Sequence, residues 1–525
     1  MARTNRPARS EYTTGGDVKA VLALAVVLTS IGLMIGDTTL AVLLTPIVFL
    51  LVLYAMFRVP LRYSLFTLMF LAFALENPAD GPVFDFRTPW APLGAIMTNH
   101  LNTVDRSISA ISWMAFSGLE ICLYSLLLIA FFRRSTGTDI DTAGQIPTPK
   151  PIVRLALLSL GGTFVVWAGG IVRGGDFGMS LWQLNAVVYL PIVVLLFHLG
   201  LRGPDDYGSF AKVVLAAAAY RSLLAYYIVK TVRPPGLDPS EPSPIPPYAT
   251  AHADSMLFAA GSVLVLAALL ERVGGKKGRR IALLLPIFVL GIVANNRRIA
   301  WVHIGAVFFT VYVVTRADNP LKRKINRLLV QVSPVVALYL LVGWNRGSTL
   351  FKPVHILRSV VDAKTDQSSF WRELENFNLI QTVRAHPILG AGYGHQYDEV
   401  VMMPAVDYSL ERYLPHNSIL GLWAFCGPLG YAALTLLWAG GVYFSMRAYH
   451  AAKQPHLRAT GLVCFGAVLI YLVQCWGDLG LATWTGIFTV APAIAMGGKL
   501  ATATEAWNPT SPRHRATGIM GWLIN

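Results

Sequence analysis

Three short groups of residues offer chemistry that an apolar chain has no packing use for. Asn295-Asn296-Arg297-Arg298 lies between two hydrophobic runs with almost no loop to hold it in water. Guanidinium groups at that depth are costly unless an anion meets them, or unless they reach out to lipid headgroups. Arg372 and Glu375 follow in a polar stretch, where they could form part of a site or simply a solvated turn. His416-Asn417 stands where the next hydrophobic run begins. A histidine there is either structural or a base that works near neutral pH.

The elements that must position these groups are membrane helices. Of the 525 residues, 54% are hydrophobic and 14% charged, and the mean hydropathy is +0.53. A soluble chain would carry about a quarter charged residues. Apolar runs recur along the whole sequence at about the length that crosses the hydrocarbon core, and they suggest about fourteen spans. The first, residues 18–36, follows a basic leader without a clear small-residue cleavage site and reads as a retained signal anchor. The expected fold is an all-α, polytopic membrane helix bundle. Cys122, Cys426, Cys464 and Cys475 all sit within apolar runs and read as small hydrophobes.

The net charge of +15 is mainly a topology signal and gives no reason to expect nucleic acid. Lys and Arg cluster near 3–9, 58–62, 133–134, 202–212, 272–280, 316–327 and 447–458. All seven clusters fall on one side if both termini are cytoplasmic, as the retention of basic loops inside predicts. Loops 77–109, 230–253 and 346–415 then face outward. The second is dense in proline and should run as polyproline II. The third carries Arg372, Glu375 and the approach to His416. A polar loop of that length is more than a connector.

Within the long loop, residues 370–380 have helical periodicity, with Phe370, Leu374 and Phe377 on one face and Arg372, Glu375 and Asn376 elsewhere. This predicts an amphipathic interfacial helix, its apolar face on the bundle or the lipid, with Ser369 as N-cap and an end before Pro387. Gly390, Gly392 and Gly394 then form a tight turn, since no strand or Lys-Ser/Thr accompanies them as in a phosphate loop. Asp139, Asp141, Asp205 and Asp206 read as solvated loop charge. Glu120 and Arg221 lie deep in spans and should pair with each other or line a polar wall.

The order Arg298-Ile299-Ala300-Trp301, Ser369/Arg372, His386-Pro387-Ile388-Leu389-Gly390-Ala391-Gly392, His416-Asn417-Ser418 and Gly427-Pro428-Leu429-Gly430 resembles the O-antigen ligase and O-antigen polymerase family. The resemblance covers about 281 to 477. Three parts are expected: N-terminal helices over 1–280, a ligase/polymerase-like core over 281–500 with its catalytic loop at 346–415, and a cytoplasmic tail over 501–525. The family departs from this chain at Arg297, where Ser is common, so either Arg298 or Arg297 fills the arginine position.

The resemblance implies a GT-C-like glycosyltransferase of the bacterial inner membrane. Such an enzyme moves a glycan from undecaprenyl pyrophosphate to an acceptor sugar, free or lipid-linked, at the outer face, alongside other polysaccharide assembly proteins. His416 would serve the acceptor hydroxyl as base, and Arg298 (or Arg297) and Arg372 would bind the pyrophosphate. Asn417, Glu375 and Arg221 are supporting candidates. Permanent guanidinium cations make a metal dispensable, and no cofactor is expected. Polymerase and ligase share this donor chemistry. The rival class is a lipid-linked oligosaccharide flippase, which should show related halves and interrupted helices around a midplane site; no such duplication is visible.

Overall fold

The computed structural model describes residues 16–35, 38–75, 91–100, 116–138, 140–141, 144–232, 250–346, 348–351, 354, 357–358, 367–403, 410 and 412–508. Every regular element among them is helical. Most of the proline-rich loop expected as polyproline II, and the tail after 508, lie outside the described residues. The chain divides into two compact units, residues 1–145 with 199–202, and residues 146–198 with 203–525.

The smaller unit contains α1 (Gly16–Ile35), α2 (Thr38–Arg58), α3 (Leu61–Leu75), α4 (Ala91–Thr98) and α5 (Gly118–Ser135). Asp141, expected as solvated loop charge, is instead buried. It receives Arg133 at 3.0 Å and the Leu61 N–H at 2.9 Å, while the same guanidinium donates to the carbonyls of Phe57 and Val59. A buried carboxylate needs such partners, and here they tie the α2–α3 corner to the end of α5. Glu120 forms a capping box with Ser117 and stands 3.8 Å from His100.

The larger unit contains α6 (Lys150–Val172), α7 (Phe177–Gly200, whose last two residues fall in the smaller unit), α8 (Pro204–Tyr227), α9 (Asp254–Leu270), α10 (Leu285–Asn295), α11 (Arg298–Val314), α12 (Pro320–Gly343), α13 (Gln367–Ala385), α14 (Ser418–Ala451), α15 (Pro455–Gly477) and α16 (Trp484–Ala503). α14, α15 and α16 pack together, with α6 against α14 and α9 against α15. Small residues let the backbones approach, as membrane packing favours. A Cβ on Gly441 would stand 2.7 Å from Ile494, for example.

Seven helices among the described residues are long and apolar enough to cross a membrane: α6, α7, α8, α12, α14, α15 and α16. Four apolar segments are shorter, among them α9 and α11. The chain is thus a multi-pass helical membrane protein; the described residues show seven such helices and do not support the expected count of about fourteen. Residues 281–297, expected as one span, give only the eleven-residue α10 after a 3-10 segment at Arg279–Leu284. α12 buries only Gly343; beyond its basic first two turns it presents a mostly apolar surface, as a lipid-facing helix would.

α14 is broken in the middle. Gly427 has φ 60° and ψ −175°, and Pro428 follows it without an N–H. Two helical carbonyls, those of Ala424 and Phe425, therefore lose their ordinary partners. The N–H of Ala391 donates to Ala424 at 2.8 Å and the N–H of Gly392 to Phe425 at 3.0 Å. The glycine turn expected from the sequence thus fills the gap in the helix. Gly390, Gly392 and Gly394 all have positive φ, and a Cβ on Gly390 would collide with the Phe425 carbonyl.

Candidate active site

His416 arrives at its position through the end of the long loop and the start of α14. Asn417 caps that helix, its Oδ1 accepting the Leu420 N–H at 3.1 Å. The backbone N–H of His416 donates to both oxygens of Glu375 at 3.2 Å, and its Nδ1 lies 3.3 Å from Glu375 Oε1. The Glu375 side chain is 3% exposed and that of His416 46% exposed. The carboxylate is therefore an internal anchor and the imidazole is the accessible partner. Burial by itself would lower the His416 pKa. The hydrogen bond and charge of Glu375, with the charge of Asp478, outweigh that and raise it, while Arg372 opposes them.

Two placements were open for the apolar face of the helix bearing Glu375, on the bundle or on the lipid, and Phe370 and Phe377 do not dock on the bundle. The buried residues of this helix are Glu375, Asn378, Leu379 and Thr382, whereas Phe370, Phe377 and Ile380 are exposed. The polar face docks because it satisfies backbone groups of the loop. Asn378 Oδ1 accepts the N–H groups of Val400 and Val401, and Thr382 Oγ1 accepts that of Asp398 at 2.8 Å. Ser369 lies inside α13 and so is not its N-cap. The helix does end before Pro387.

A second group assembles at the α10–α11 turn. Asn296 closes α10 in the left-handed region, and Arg297 is extended as the residue before α11. Asn295 Oδ1 accepts the Thr250 N–H at 3.0 Å, and Asn295 Nδ2 donates to the Ala251 carbonyl. This clamp places His252 beside Arg297, with Arg297 Nη2 2.5 Å from His252 Nε2. The opposite ring nitrogen, Nδ1, lies 2.9 Å from Asp478 Oδ2. Asp478 is buried just beyond the end of α15. Burial alone would raise its pKa. The His252 hydrogen bond and the nearby charges of Arg372 and His416 hold it well below the usual carboxylate range.

Arg372 acts electrostatically on both His416 and Asp478. Asn417 Nδ2 donates to Asn376 Oδ1 at 3.0 Å, a second tie between α14 and α13. Arg298 is partly exposed at the first position of α11; it is Arg297 that meets His252. Of the two ionisable residues expected deep in spans, Glu120 caps α5 with Ser117 and Arg221 has a carboxylate partner of its own. Arg221, fully buried, closes on Asp254 with contacts of 2.8 to 3.0 Å. Asp254 opens α9 two residues after His252, so this ion pair anchors the segment that carries His252.

His252 and Asp478 escaped the sequence reading. Their common signal is an ionisable residue at the very end of an apolar run, the same signal that marks His416. The glycine turn closes the other flank: Arg173 Nη1 donates to the Gly390 carbonyl at 2.9 Å, and Gln183 Oε1 accepts the Gly394 N–H at 2.6 Å. A largely apolar cavity of about 40 Å³ opens beside the site, lined by Tyr413, Pro415, Ser418, Leu422, Leu479 and Leu481 among others. Among the described residues no three His, Cys, Asp or Glu side chains converge as metal ligands.

Residues 281–435 match the model of the O-antigen ligase family. The match spans the α10–α11 turn, α13, His416 and the break in α14, the region where the motif resemblance lies. No curated protein matches the chain.

Proposed function

We propose that this protein is a glycosyltransferase of the bacterial inner membrane, GT-C-like in architecture, which moves a glycan from undecaprenyl pyrophosphate to an acceptor sugar at the outer face. The O-antigen ligase match supports ligase- or polymerase-type chemistry. The observation that supports the residue roles is a carboxylate-backed, accessible histidine on which Arg372 acts electrostatically, with Arg297 joined through His252 to the Asp478 whose charge also acts on it.

In this reading His416 Nε2 takes the proton of the acceptor hydroxyl while Nδ1 faces Glu375. The carboxylate orients the ring and stabilises the imidazolium that forms. The acceptor oxygen bonds to the anomeric carbon as the bond from that carbon to the pyrophosphate oxygen breaks. The departing pyrophosphate carries its negative charge toward Arg372 and Arg297, with Arg298 beside them, and planar guanidinium forks suit its oxygens. Fixed cations in a site of low dielectric stabilise that charge without reorganisation, so the reaction proceeds without a divalent metal.

The test is to identify the lipid-linked species that accumulates in cells lacking this protein. Single repeat units on undecaprenyl pyrophosphate would indicate a polymerase, and finished polymer on the same lipid a ligase. Unchanged lipid-linked pools, with the purified protein inert toward them, would reject the transferase reading.

A further inference from the structure

The contact between Arg297 and His252 has a definite sense. An arginine side chain has only donors, so His252 Nε2 must accept from Arg297 Nη2. A ring nitrogen that accepts carries no proton. The proton of a neutral imidazole is then on Nδ1, where it points to the buried carboxylate of Asp478 at 2.9 Å. Asp478 is itself fixed: it is buried, and its Oδ1 accepts the Leu479 N–H at 3.0 Å. The chain of donors therefore runs in one direction, from Arg297 to His252 to Asp478. It is consistent only with neutral His252 in the Nδ1–H tautomer.

We propose that His252 is a positioning residue for Arg297, held in its accepting tautomer by Asp478, and that it fixes the guanidinium in the orientation that meets the pyrophosphate of the lipid donor. This rests on the donor reading above and adds to it a device for aiming one of its arginines. A flexible arginine at a helix end samples many rotamers, and a bond to one Nη removes most of that freedom before the anion arrives. Arg297 is a better candidate for this than its neighbour because the backbone also holds it: the left-handed Asn296 and the Asn295 clamp set both its own position and that of His252.

The test uses the full-length protein in nanodiscs with undecaprenyl pyrophosphate itself as the probe. Arg297→Ala should weaken binding by more than tenfold, and His252→Asn by about tenfold through loss of the acceptor. His252→Gln, whose Oε1 can stand near the place of Nε2, should recover most of the affinity. The double variant His252→Asn/Arg297→Ala should bind within about twofold of Arg297→Ala alone, because both changes remove one interaction. Melting temperatures identify any variant that fails to fold, and the same cycle with Asp478→Asn replaces one that does. Wild-type affinity in His252→Asn alongside a weak Arg297→Ala overturns the positioning role and leaves the donor reading intact; so do additive losses. Equal binding by the wild type and Arg297→Ala overturns the donor reading itself, and the proposal with it.

Discussion

His416 and Glu375 are joined twice, through the ring at 3.3 Å and through the backbone N–H at 3.2 Å, although 41 residues separate them in the chain. The second bond holds whatever the ring's charge, so the carboxylate keeps its place while the imidazole gains or loses a proton. Such a pair can cycle without rearranging the loop.

The first prediction concerns pH. A base must be neutral, and His416 has its pKa raised above the ordinary 6.5. Activity should therefore fall as pH drops through a value above 6.5. Glu375→Gln removes the main raising influence, so that burial and Arg372, which lower it, are opposed only by Asp478. The acid limb of kcat/KM should move to lower pH while the maximal rate falls. The stability from the pair has the sign of a raised histidine: fully present below the unfolded pKa and lost as pH rises through the folded one. A pH–rate series on both proteins checks this, and an unmoved acid limb rules out His416 as the titrating base.

Binding and chemistry should separate between side chains. His416→Ala is expected to lower transfer by about a hundred- to ten-thousandfold while sparing binding of the lipid donor. Arg297→Ala and Arg372→Ala should weaken both, and Lys should restore only part, since it lacks the planar fork. Arg298→Ala should cost less than Arg297→Ala. Donor titrations alongside transfer rates decide; the reverse pattern would exchange the assigned roles.

Breaking the buried pair behind the site should cost stability rather than chemistry. Arg221→Met leaves Asp254 charged and unpartnered in a fully buried place, a loss of about 3–5 kcal/mol. Adding Asp254→Asn should recover much of it. Thermal unfolding in detergent measures both, and a Tm unchanged in the single variant would show that the pair does not anchor α9.

Glycines in the loop should differ sharply in tolerance. At Gly390 φ is 69°, and an added Cβ would stand 2.6 Å from the Gly427 nitrogen, so Gly390→Ala combines backbone strain of about 1–3 kcal/mol with a clash inside α14. Gly174 has φ 91° but open space around it. Gly174→Ala should lower the Tm less, and only Gly390→Ala should abolish transfer. Similar losses in both would mean that the fit into the helix break contributes little.

Sidedness follows from the basic loops. Single cysteines at Ser240 and Asp366 should react with an impermeant reagent in intact spheroplasts, and one at Lys277 should be protected. The opposite pattern would place the site on the cytoplasmic face.

What could be read from the sequence were features that are local in the chain. His416-Asn417 and the glycine turn announce themselves because a helix cap, a proline and positive-φ glycines are short-range signals. The Arg297–Arg298 doublet was equally visible, but not which of the two meets a partner, since that is set by His252 from 45 residues earlier. Asp478 and His252 were lost because each is a single ionisable residue at a helix end, and only packing brings them together. For α13 the periodicity leaves its apolar face to the bundle or the lipid and does not show which face docks. Its polar face satisfies the backbone of the loop it supports. Where hydropathy reads residues 281–297 as one continuous span, a 3-10 segment and a short helix divide it.

The gap in α14 and the turn that fills it are two halves of one hydrogen-bonded object, though they lie more than thirty residues apart. The same loop transplanted into a protein with an unbroken helix would find no carbonyls to receive Ala391 and Gly392. The interrupted helix without its loop would leave two carbonyls stranded. Exchange of this loop between such proteins, by engineering or by recombination, therefore has a minimum unit, which runs from His386 through Gly430 and cannot be cut where the helix begins.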